Sequence, residues 1–181
     1  MRILLATSIQ SAVCPSIDVG QVAKELTIGG AEVDQFSLPI RWDDDRSDIA
    51  EWTSQMCGVR LLNLTECCDM LVAFAIPAYF LRHPRKVNVL GPKSLAPLRS
   101  LLNTSAKSTS RETERRLLVD AVRLCLVEAK STFYLSDSES IGLRSLKIPQ
   151  CALGAPLLPK KLLSILNQRS GPFAGIRRLA A

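Results

Sequence analysis

Only one histidine, His83, occurs in this chain, and neither a CxxC pair nor a metal-ligand rhythm connects its six cysteines, Cys14, Cys57, Cys67, Cys68, Cys125 and Cys151. No resident metal or other cofactor is therefore expected, and scattered cysteines of this kind read as reduced thiols, not as a disulfide framework. Apolar runs never reach the roughly 18 residues of a membrane-crossing helix. The opening MRILLATS is too short for a secretory apolar core, so the expectation is a soluble, cytoplasmic protein with at most a peripheral membrane contact. Aromatic residues make up 5% of the chain and do not interleave with basic ones, which excludes the stacking surface of a nucleic-acid binder. Acids are missing from residues 160–181, whereas Lys160, Lys161, Arg169, Arg177 and Arg178 all fall there. No repeat or low-complexity segment is present.

What the chain does have is apolar material for one core. Its 181 residues are 47% hydrophobic, enough for a single domain. The net charge of +6 suggests an anionic surface or substrate without identifying it. Strand-like and helix-like segments alternate. Residues 2–7 read as a first strand, and in residues 18–27 Val19, Val22, Ala23 and Leu26 share one helical face. Gly29 and Gly30 close that helix, and residues 32–38 form the next strand, ending at Pro39. A helix is expected over 49–65. Residues 70–75 and 87–90 are near-continuous apolar runs, the pattern of strands buried on both faces of a parallel sheet, with a compact aromatic turn between them. The longest helix is expected over 112–130, with Leu117, Leu118, Ala121, Val122, Leu124, Cys125 and Val127 on its core side. Strands at 131–135 and 151–153 flank a short helix at 138–145. This order predicts an α/β fold, a single Rossmann-like domain with a doubly wound parallel sheet and right-handed crossovers.

Ligands of such sheets bind beyond the carboxyl ends of the strands. The positions singled out by that rule are 8–14, 40–45, 76–77, 91–94, 136–137 and 154–155. His83 precedes its strand and is expected at the opposite edge as a structural or solvent-exposed residue, not a catalytic base. Asp43, Asp44, Asp45 and Asp48 read as a solvated acidic loop because a divalent site needs ligands converging from a shaped loop. Cys67 and Cys68 read as packing residues.

Four phrases in order resemble a known family. MRILLATS is similar to its first strand, and QVAKEL with GGAEVDQFSLPIRW to its first helix, glycine turn and second strand. RLLNLTECCDMLVAFAIPAYFLRHPRKV and AVRLCLVEAKSTFYLSDSESIGLRSLKI resemble two later segments. The family is that of the family 4 retaining glycosyltransferases with GT-B architecture, and the resemblance covers residues 1–159. It implies the N-terminal, acceptor-side domain of an enzyme that moves a sugar from a nucleotide-sugar donor to an acceptor, with the acceptor held over Ser8, Ile76, Lys93 and Ser136. The donor-binding C-terminal domain that supplies the carboxylates lies outside the match, so a donor-domain subunit or a homo-oligomer is the implied partner. Residues 160–181 form a basic tail in which 160–168 is amphipathic and packs on its own domain, on an anionic membrane or on another chain. Lys107 and Arg111, in a polar loop expected over 99–116, are candidates for lipid phosphates.

The chain departs from the family's pattern where chemistry would need it. Ile17 and Asp18 stand where the family has a glycine pair that admits donor phosphates, and a carboxylate there repels a diphosphate. Gly91-Pro92-Lys93-Ser94 replaces a histidine-rich phrase. Two further expectations therefore stand beside the half-enzyme: a non-catalytic glycosyltransferase paralogue that supports an active partner, and a stand-alone nucleotide-binding module.

Overall fold

The structure, a computed structural model, describes residues 1–8, 17–39, 49–91, 109–134, 151–152, 160 and 162–164. In chain order its elements are β1 (Arg2–Ser8), α1 (Val19–Ile28), β2 (Glu32–Leu38), α2 (Ile49–Leu61), β3 (Met70–Ala73), a 3₁₀ turn (Ala78–Phe80), β4 (Lys86–Leu90), α3 (Thr109–Val127), β5 (Ser131–Tyr134) and β6 (Cys151–Ala152). The six strands form one sheet in the order β2-β1-β3-β4-β5-β6, and every pairing is parallel. This is the α/β, Rossmann-like sheet expected from the alternation of strands and helices.

Local sequence explains where α1 begins and ends. Asp18, in an extended conformation, caps it by accepting a hydrogen bond at Oδ1 from the Gln21 amide at 3.0 Å, satisfying one of the donors every helix start leaves unpaired. At the far end Gly29 donates to the Glu25 carbonyl at 3.0 Å. Gly30 then takes φ +87°, a left-handed conformation for which glycine has no Cβ penalty.

The sheet is covered on both faces. On one, Ile3, Leu5, Met70, Val72, Val87, Val89 and Phe133 pack against Val22, Ala23 and Leu26 of α1 and against Leu162. On the other, Ala6, Leu71, Ala73 and Leu90 meet Met56 and Val59 of α2, residues 78–81, and Val122, Cys125 and Leu126 of α3. β3 and β4 lie between these layers and are buried at every residue, β3 with the unbroken apolar wording MLVA of a strand covered on both faces and β4 with Lys86 and Asn88 among its apolar residues. Residues 162–164 are helical, and Leu162 is fully buried; these residues of the amphipathic segment pack on their own domain. A Cβ at Gly29 would fall 2.5 Å from Leu163 Cδ1, so the missing side chain also makes room for that segment.

Several boundaries differ from expectation for identifiable reasons. α2 stops at Leu61, four residues early; Asn63 Oδ1 accepts from the Thr65 amide at 3.1 Å and from its hydroxyl at 2.6 Å, a local turn that competes with the helix. α3 spans Thr109–Val127, beginning and ending three residues before the expected 112–130, so residues 109–111 of the expected polar loop are helical. Its core side is narrower than expected. Leu118, Val122, Cys125 and Leu126 are buried, whereas Leu117, Leu124 and Val127 are 62%, 61% and 49% exposed. β3 ends at Ala73, two residues before the expected 75, and the chain runs on into the 3₁₀ turn. The short helix expected at 138–145 and the acidic residues Asp43, Asp44, Asp45 and Asp48 lie outside the described residues.

Candidate functional site

At the carboxyl edge, the sheet order places a topological switch point between β1 and β3. The chain leaves β1 for β2 on one side and returns to β3 and β4 on the other, and a crevice opens where such connections diverge. Pairing runs through Ala6 and Ala73 and continues with the Phe74 amide donating to the Ala6 carbonyl at 3.1 Å. Ser8 and Ile76 follow at the ends of these two neighbouring strands. Both are buried, at 3% and 6% exposure. The Ile76 side chain belongs to the core on the α2 and α3 side, so it is committed to packing; Ser8 brings a hydroxyl to the same edge. Lys93 and Ser136 lie outside the described residues.

The start of α1 faces this edge as well. A helix N-terminus is a ready anion site, but here the Asp18 carboxylate already accepts the Gln21 amide. The acidic residue that departs from the glycosyltransferase pattern is thus a helix cap. A Cβ at Gly20 would lie 3.1 Å from Asp18 Oδ1, which accounts for the glycine beside it.

The opposite edge carries polar groups that the sequence reading did not single out. β4 opens with Lys86, whose side chain is buried at 1% exposure. Its Nζ donates to the Tyr79 carbonyl at 2.7 Å, and Tyr79 in turn donates its hydroxyl to the Val89 carbonyl at 3.0 Å. Burial pushes the Lys86 amine down to about 8. Two residues on, the Asn88 side chain is fully buried, and among the described residues neither its Oδ1 nor its Nδ2 has a hydrogen-bond partner. Two polar residues two apart share one strand face. That alternation, K-V-N-V-L within an apolar run, is the sequence signal that could have found them.

Around Lys86 lies a pocket of about 380 Å³, lined by Arg60, Leu61, Asn63, Thr65, Arg82, His83, Pro84, Lys86 and Glu128. Arg60 donates to Glu128 Oε1 at 2.5 Å and to Cys125 Sγ at 3.5 Å, and the hydrogen bond with Glu128 raises the affinity of its guanidinium for its proton. His83 is structural. Its Nδ1 accepts from the Arg85 amide at 3.0 Å, which leaves Nε2 to donate to the Cys68 carbonyl at 3.0 Å, so both ring nitrogens are engaged. Cys68 is buried, which pushes its thiol up to about 11, the state of an inert packing residue; Cys67 beside it is exposed.

Among the described residues, no group of three His, Cys, Asp or Glu side chains is placed to hold a metal ion. None of the helices among them is long and apolar enough to cross a membrane. No protein-family model matches the chain, and no curated protein matches it.

Proposed function

We propose that residues 1–159 form the acceptor-side domain of a retaining, nucleotide-sugar-dependent glycosyltransferase of GT-B type, moving sugar only when a donor-binding domain or subunit completes the cleft. The observation that carries this reading is the switch point between β1 and β3, with Ser8 and Ile76 at the carboxyl ends of the two neighbouring strands. Such a crevice is where parallel sheets hold ligands, and the four family-like phrases supply the class of ligand. Ser8 would bond an acceptor hydroxyl, with Lys93 and Ser136 as the further polar contacts that the family resemblance implies.

One observation favours the non-catalytic paralogue as a second reading. Asp18 caps α1 with its carboxylate at the place where the family's glycines admit phosphate, so this half offers a diphosphate no free helix terminus there.

The test is a titration of the purified chain with uridine and guanosine diphosphate sugars, followed by a transfer assay on whatever complex co-purifies from the native source. Alone, the chain is expected to bind these sugars more weakly than about 1 mM, which corresponds to only about −4 kcal/mol. With its donor-binding partner it is expected to transfer sugar. Micromolar binding by the chain alone would sink the half-enzyme in favour of a nucleotide-binding module. Transfer by the partner that persists without this chain would select the non-catalytic reading.

A further inference from the structure

We propose that the pocket at the amino edge of the sheet is a binding site for a phosphate monoester, seated by Arg60, Arg82 and Lys86. Separate stretches of chain converge on it: the end of α2 with Arg60, the turn before β3 with Asn63 and Thr65, the segment leading into β4 with Arg82, His83 and Lys86, and Glu128 just beyond α3. Three cationic side chains face a single carboxylate. The excess of two positive charges is what a dianionic phosphate ester neutralises, and guanidinium forks match phosphate oxygens in pairs.

The individual groups are prepared for this role in different ways. Arg60 is held by Glu128 and by the Cys125 sulfur, so its planar head is oriented before any ligand arrives. Arg82 is exposed and bonds no side chain among the described residues. Lys86 has three N–H donors and uses one, toward the Tyr79 carbonyl; a buried ammonium with spare donors gains from an anion that accepts them. Asn63, which lines the pocket, has its Oδ1 taken by Thr65, and its amide NH₂ is a neutral donor. Because both His83 nitrogens are engaged, the histidine forms wall and does not compete for the ligand. At about 380 Å³ the volume falls at the small end of ligand sites, suited to a compact ester.

This site lies at the opposite end of the strands from Ser8 and Ile76, so its fate is independent of the glycosyltransferase reading. The experiment titrates the full chain with inorganic phosphate, glycerol 3-phosphate and malonate while amide resonances are followed. Phosphate and its ester are expected to saturate one site, shifting amides of residues 60–65 and 82–86. Arg82→Ala, an exposed change outside the core, should weaken binding about tenfold or more, the worth of a charged hydrogen bond. Arg123→Ala, an exposed control on α3 away from the pocket, should leave it unchanged. Glu128→Gln supplies a variant of opposite sign: removing the one carboxylate should tighten phosphate binding. Shifts spread over the surface without saturation, equal losses in Arg82→Ala and Arg123→Ala, or tighter binding of malonate than of either phosphate would each overturn the proposal.

Discussion

The two faces of this sheet are built on different principles. On the α1 face every fully buried strand residue is apolar, from Ile3 and Leu5 through Val72 to Val89 and Phe133, and cohesion there rests on area removed from water. On the α2 and α3 face the row Ala6, Ala73, Asn88 and Thr132 runs across four strands in register, with Lys86 one step along β4. Small residues are followed by an unsatisfied amide, a hydroxyl that donates to the Leu126 carbonyl at 3.2 Å, and an ammonium on a carbonyl. Burying such groups opposes folding unless each finds a partner. The first face supplies stability, and the second spends some of it on polar groups that lead to the pocket.

The largest expected effect comes from breaking the apolar face. Phe133 is buried at 2% exposure, and Phe133→Ala should lower the unfolding free energy by about 3–5 kcal/mol through lost transfer energy and the cavity left behind. Urea denaturation measures it, and a loss below about 1 kcal/mol would show that the face is loosely packed. The reverse experiment addresses the polar face. Asn88→Val replaces an amide without partners by a β-branched side chain suited to a strand, and should raise stability by about 1–2 kcal/mol, because an unsatisfied buried polar group is expensive. A fall in stability would show instead that ordered water or a ligand satisfies Asn88, and would join it to the polar site.

These differences also account for what the sequence could and could not reveal. Buried strands on both faces announce themselves as unbroken apolar runs, so β3 and β4 were legible, as were α1 and its glycine end, where chain-local chemistry decides. The rotation of α3 was not legible. Its apolar residues extend around much of the helix, and only docking against the sheet selects Leu118, Val122, Cys125 and Leu126 over Leu117 and Leu124. The place of Ser8 and Ile76 at the carboxyl edge was legible because that rule needs only strand ends. The pocket residues were missed for a topological reason: Arg60 and Glu128 are 68 positions apart, and they meet because α2 and α3 cover the same face. Lys86 was hidden by its charge, which reads as a strand boundary until the Tyr79 carbonyl is seen to hold the amine inside.

That buried amine gives the smallest and most selective handle on the comparison. Lys86 is pushed down from 10.5 to about 8, by burial first and by the charge of Arg60, with Cys125 and Glu128 acting the other way. Between pH 8 and 9 the folded protein releases this proton while the unfolded chain keeps it, so the unfolded state binds more protons and stability rises with pH. Integrated over that interval the gain is about 1 kcal/mol. The groups facing the amine set the upper limit of the window. Arg60 from α2 and Glu128 beyond α3 face it as an ion pair, whereas burial raises the Cys125 and Cys68 thiols, so as pH approaches 9 the unfolded thiols ionise first and offset part of that gain. Urea midpoints at pH 8.0, 8.5 and 9.0 should therefore rise in the native chain relative to Lys86→Met, which has no amine to release. Parallel slopes in the two proteins would mean that Lys86 reaches solvent in the folded state, and the contrast between the dry face and the polar one would lose its strongest member.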